Sequence, residues 1–191
     1  MKNSVKRNGK NCVLLLDDGS YFLGVGSGYF GDFLGEICFN TSITGYQEIL
    51  TDPSYFNQII NFTFPHIGVV GANFEDYESD KIYASGCIIN NPVSAASNFR
   101  SKMDFEKWLK LNKKVCVSNI DTRALTKRIR NLGACKALIH FPENAFFEKM
   151  TNLKTKLMKF PSMKNQDLAS EISTSYIYKW FNQKKLRTFK I

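Results

Sequence analysis

An α/β fold is the class this sequence predicts. Short apolar, β-compatible runs recur between turn signals along residues 11–141, and segments with helical spacing of apolar residues fall among them. The chain has 191 residues, of which 43% are hydrophobic and 23% charged, a balance that suits an ordinary globular domain with an appendage.

Residues 12–16 and 20–25 flank Asp17-Asp18-Gly19, and two β-type runs around an Asp-Gly turn make a hairpin. Gly24, Gly26, Gly28 and Gly31 follow at spacings that mimic a phosphate-cradling loop. Such a loop must open onto a helix N-terminus, whereas this stretch carries Tyr29, Phe30 and Phe33 and leads into a strand, so no nucleotide site is expected. Residues 35–39 alternate Glu36 and Cys38 with Ile37 and Phe39 as a half-buried strand does. Residues 58–63 and 86–89 read as further strands, with an acidic, turn-like stretch at 73–81 between them. Asp104 opens a helix to residue 112 whose Phe105, Trp108, Leu109 and Leu111 share an inward face. After a short β run at 115–117, Asp121 caps a helix to Asn131, with Leu125 and Ile129 packing inward and Gly133 as the stop. Residues 135–141 close the body as a strand.

The character changes after Pro142. Residues 145–160 place Phe146, Phe147, Met150, Leu153 and Leu157 on a Lys-rich background, which predicts an amphipathic helix ended by Pro161. Residues 167–172 predict one more helical turn. The expected division is a frayed basic N-terminus at 1–10, a folded body at 11–141 and a helical linker at 142–191. Tyr178, Trp180 and Phe181 near its end are expected to pack on a neighbour.

The formal net charge of +9 lies at the ends. Residues 1–10 carry four basic and no acidic side chains, and residues 148–191 carry ten basic against three acidic, so the body is slightly acidic. A nucleic-acid surface needs Lys and Arg clustered on the folded part with a motif to aim them, so nucleic acid is not the expected partner. The longest apolar run is too short to span a bilayer and no secretory leader is evident, so no membrane association and a cytoplasmic location are expected. Five cysteines, an odd number without a CxxC pair, read as buried reduced thiols. His66 and His140 have no Asp or Glu at ligand spacing, so no metal site is expected. The glycosylation sequons at 40–42 and 61–63 are chance matches in a chain without a leader.

The stretch from Phe39 to Tyr55, FNTSITGYQEILTDPSY, together with Phe64-Pro65-His66-Ile67-Gly68, Ala96-Ser97-Asn98-Phe99-Arg100 and Ile120-Asp121-Thr122-Arg123-Ala124-Leu125-Thr126, resembles the N-terminal domain of the small subunit of glutamine-dependent carbamoyl-phosphate synthase. The resemblance implies a three-layer β/β/α sandwich of the swivelling type. It also implies a non-catalytic role: docking on the large synthetase subunit and completing the glutamine site and ammonia route for carbamoyl phosphate synthesis, which feeds the pyrimidine and arginine pathways. ATP and Mg would be bound by the large subunit, so no cofactor is expected in this chain.

From chemistry alone, Thr51-Asp52-Pro53-Ser54 is a turn, and Asn40, Thr41, Ser42 and Thr44 are small polar residues of the kind that satisfy backbone groups at a strand end. The resemblance implies that Ser54 binds glutamine as part of a composite site, and that Ser42 and Thr44 line the ammonia exit. A hydroxyl that can donate and accept suits the zwitterionic end of that amino acid. Asp121 and Arg123 read as a helix cap and a first-turn charge. A glutaminase of this class needs a cysteine thiolate on a G-x-C-x-G turn with a histidine base. None of Cys12, Cys38, Cys87, Cys116 and Cys135 fits that turn, and neither histidine lies in an HxE setting, so the amidotransferase domain is expected to be missing from this chain and the chain alone to be inactive. A free-standing module descended from such a synthase and a nucleic-acid binder using the basic ends are the rival readings.

Overall fold

In the computed structural model, residues 9–144, 146–164 and 166–174 are described. Seven strands form a closed barrel: β1 (Cys12–Leu16), β2 (Tyr21–Gly28), β3 (Gly31–Asn40), β4 (Gln58–Phe62), β5 (Gly86–Ile88), β6 (Val115–Ser118) and β7 (Cys135–Phe141). Their order around the barrel is β1-β2-β6-β5-β4-β3-β7, and β7 pairs with both β3 and β1 to close it. The strands from β3 through β4 and β5 to β6 are mutually parallel, while β1, β2 and β7 make antiparallel pairs.

Side chains alternate between the two faces of each strand. Inward residues Cys12, Leu14, Leu16, Ile37, Ile59, Ile88, Val115, Val117 and Ile139 fill the barrel, with Leu125 and Ile129 of α3 (Thr122–Leu132) joining the same cluster. Asn61 ties β4 to that helix by donating to the Thr122 carbonyl and the Thr126 hydroxyl. The outer faces of β4, β5 and β6 are covered by α1 (Tyr46–Thr51) and α2 (Phe105–Leu111), where Ile60, Phe62, Cys87 and Cys116 meet Leu50, Phe105, Trp108 and Leu109. The outer faces of β1, β7 and β3 carry α4 (Met150–Lys159), whose buried Leu153 and Leu157 rest on Leu15, Leu138 and Leu34. A short α5 (Leu168–Ile172) follows, capped by Asp167.

The α/β class is therefore as expected, but the strands close into one barrel with helices against two sides. A three-layer β/β/α sandwich is not what this topology describes, because β7 hydrogen-bonds across the seam that would separate two sheets. The glycine-rich stretch is strand rather than loop: β2 runs through Gly24 and Gly26, and a Cβ on Gly26 would lie 2.5 Å from the Phe141 ring. These glycines let the barrel wall approach its contents closely. The helix expected at 145–160 begins only at Met150. Its would-be first turn is held sideways, since the Glu148 amide donates to His140 on β7. Leu111, expected on the buried face of α2, is 63% exposed, and Phe146 also faces solvent. Tyr178, Trp180 and Phe181 lie outside the described residues.

Candidate functional site

The parallel strands β3 and β4 end side by side, and the Thr63 amide donates to the Asn40 carbonyl at 3.0 Å. From that edge the chain turns through Ser42 and Thr44 to Gly45, whose φ of 80° is left-handed and suits glycine, and then enters α1. At the far end of α1, Asp52 caps a 3₁₀ turn (Pro53–Tyr55): its Oδ1 accepts from the Ser54 amide at 2.8 Å. One side chain joins the two ends. Asn40 Oδ1 accepts from the Ser42 amide at 2.8 Å, while its Nδ2 donates to the Tyr55 hydroxyl at 2.9 Å.

The same stretch has a buried side that is fully committed to structure. The Tyr46 hydroxyl donates to the Gly71 carbonyl at 2.5 Å, and its ring meets Phe105 edge-on at 5.1 Å. Gln47, buried, both donates to the Asn73 carbonyl (2.6 Å) and accepts from the Asn73 amide (3.0 Å). The Thr51 hydroxyl donates to the Gln47 carbonyl and accepts from the Glu78 amide. Ser42, Thr44 and Ser54 lie instead on the exposed side, and their hydroxyls have no hydrogen-bond partner among the described residues. Ile43, 68% exposed, stands between two of them. The result is a patch of unspent hydroxyls on a backbone pinned from behind. That arrangement can accept a polar ligand or a partner surface. It holds no nucleophile or base of its own.

Four of the thiols are unsuited to attack. Burial pushes the Cys12 and Cys116 thiols well up, and holds Cys38 and Cys135 at about 12, so they stay protonated at neutral pH. Asp121 caps α3 through the Ala124 amide at 2.8 Å, as its sequence position indicates.

The sequence around His140 shows no carboxylate at ligand spacing, yet the fold brings two acidic residues to it. Its Nδ1 lies 2.5 Å from Asp32 Oδ1 on the paired strand β3, and its Nε2 accepts from the Glu148 amide at 3.2 Å. Lys156 of α4 donates to Asp32 and, at 2.7 Å, to Glu148. The His140 hydrogen bond, with Lys156 beside it, holds the Asp32 carboxyl below its ordinary value. Ligand atoms of Asp32, His140 and Glu148 lie within 4.8 Å of one another, a spacing that could hold a metal ion. Both ring nitrogens are already engaged and Lys156 donates to both carboxylates, so each group of the cluster already has a partner inside it. Asp32 is 108 residues from His140, and only the β3–β7 register brings it to the histidine.

Two comparisons bear on identity. Residues 14–139 match the family description "Carbamoyl-phosphate synthase small chain, CPSase domain". The carbamoyl phosphate synthase small chain of Zymomonas mobilis is 45% identical over 167 residues, covering 87% of this chain and 44% of that protein. The small chain of Buchnera aphidicola from Acyrthosiphon pisum is 45% identical over 183 residues, covering 94% and 46%. That of Vibrio cholerae is 46% identical over 171 residues, covering 90% and 44%. The chain thus spans under half the length of these relatives and corresponds to their N-terminal part.

Proposed function

Because the chain belongs to the carbamoyl-phosphate synthase small-chain family, we propose that it is the non-catalytic N-terminal part of a glutamine-dependent synthase small subunit. In this reading Ser54 contributes a hydroxyl to a glutamine site completed by an amidotransferase domain outside these residues, with residues 142–191 as the tether toward it. Ser42 and Thr44 stand where nitrogen leaves that site, and another face docks on the large subunit, which binds ATP and Mg. The reaction served is carbamoyl phosphate synthesis for pyrimidine and arginine formation in the cytoplasm. No helix among the described residues is long and apolar enough to cross a membrane.

One observation carries the reading: the Asn40 side chain fixes the Ser42 and Ser54 segments to each other while leaving their hydroxyls without a partner among the described residues. A surface turn has no need of such cross-bracing unless the relative position of the two segments matters. In contrast, the neighbours Tyr46, Gln47 and Thr51 are explained by the hydrogen bonds they make inside this chain.

The test is complementation in two parts. This chain is mixed with a large subunit, with and without the amidotransferase part of the small chain. Co-elution with the large subunit, and glutamine-dependent synthesis only when the amidotransferase part is present, are expected. No association under any of these conditions would overturn the proposal.

A further inference from the structure

The protonation state of His140 follows from geometry. The Glu148 backbone N–H can only donate, so the Nε2 that faces it at 3.2 Å must carry a lone pair. The ring proton then sits on Nδ1, pointing at Asp32 Oδ1 2.5 Å away. In this state the imidazole is neutral and its acceptor side is what fastens the segment before α4 to the barrel. A second proton would go to Nε2 and set two N–H groups against each other.

We propose that His140 is a proton-operated latch: neutral, it holds the strap of residues 143, 144 and 146–149 on the barrel through Glu148, and when doubly protonated it lets that strap go. The latch is independent of the glutamine reading. The groups that face His140 are Asp32 from β3, Glu143 and Glu148 from the strap, and Lys156 from α4, while its register partner on β1 is Val13, which carries no charge. The Nδ1 proton still points at Asp32 while a proton added to Nε2 faces the Glu148 N–H, so one neighbour is kept at the moment the other is repelled. Lys156 bridges Asp32 and Glu148, and its tie to Glu148 restrains the strap only through a flexible side chain. Helix α4 itself stays seated, because Leu153 and Leu157 are buried against the barrel. Release is therefore local. It opens the cleft of about 580 Å³ that the strap shares with Phe30, Gly31, Asp32 and His140.

The test is NMR on the 191-residue chain. Ring ¹⁵N shifts follow the His140 titration, while amide protection factors, corrected for the intrinsic pH dependence of exchange, are read at Glu148, Leu14, Leu138 and Leu157. Glu148 protection is expected to fall by about tenfold, the loss of one hydrogen bond, along the same curve as the ring, with the other three unchanged. In Asp32→Asn the ring curve and the Glu148 protection curve should still coincide, at whatever pH they fall. His140→Leu should leave Glu148 unprotected at every pH; should that variant not fold, the other two measurements decide. A Glu148 amide that keeps its protection through the His140 titration, or a neutral ring protonated on Nε2, would overturn the latch.

Discussion

The Asn40 amide donates to the Tyr55 hydroxyl at 2.9 Å, joining the end of β3 to the 3₁₀ turn that displays Ser54. Asn40 therefore serves both segments, since its oxygen also holds the Ser42 amide. Asn40→Ala should cost about 1–2 kcal/mol, and Tyr55→Phe about 0.5–1.5 kcal/mol, because the first removes two bonds and the second one. Urea denaturation checks this. Equal costs would mean that the Ser42 amide bond contributes nothing.

Gln47 and Ser54 sit seven residues apart and should behave oppositely. Gln47→Ala removes both bonds to the Asn73 backbone and leaves a buried N–H and C=O unpaired, so a loss of about 2–4 kcal/mol is expected. Ser54→Ala in the isolated chain should change stability by less than about 0.5 kcal/mol. Thermal or urea unfolding of both variants is decisive, and a large loss for Ser54→Ala would mark it as structural.

Gly26→Ala should destabilise by about 1–3 kcal/mol, since the added methyl must displace the Phe141 ring from the barrel interior. A variant of unchanged stability would show that the wall has room there.

Acid should weaken the fold through Asp32. Its carboxyl is held below the ordinary value of 3.8, first by His140 and then by Lys156. The unfolded chain therefore takes up this proton at higher pH than the folded one. The resulting stabilisation is fully present above 3.8 and is lost as the pH falls through the lower folded-state value. Urea unfolding from pH 6 downward should show a shallower acid decline in Asp32→Asn than in the native chain. Parallel declines would mean that Asp32 gains nothing from its partners.

The sequence made the strands of the body readable because their apolar runs are bounded by strong turn residues. Asp121 and Gly133 likewise marked α3 at both ends. Barrel closure was not legible, since it depends on β7 pairing on both edges, and either pairing leaves the same alternation in the sequence. Helix α1 was too short, at six residues, to show a period. The start of α4 was misplaced because a tertiary hydrogen bond to His140 competes with its first turn. At the site, the turn chemistry around Ser54 was visible locally, but the Asn40–Tyr55 link spans fifteen positions and leaves no pattern.

The most direct measurement of the central claim is the nitrogen-source dependence of Ser54→Ala in a synthase assembled with its amidotransferase domain and large subunit. If the hydroxyl binds glutamine, glutamine-dependent synthesis should lose about 1–2 kcal/mol of transition-state stabilisation, a five- to thirtyfold fall in kcat/KM. Synthesis from free ammonia, which bypasses that site, should stay within about twofold of the unsubstituted enzyme. Equal losses with glutamine and ammonia would contradict the account and reduce Ser54 to a part of the fold or of the subunit interface.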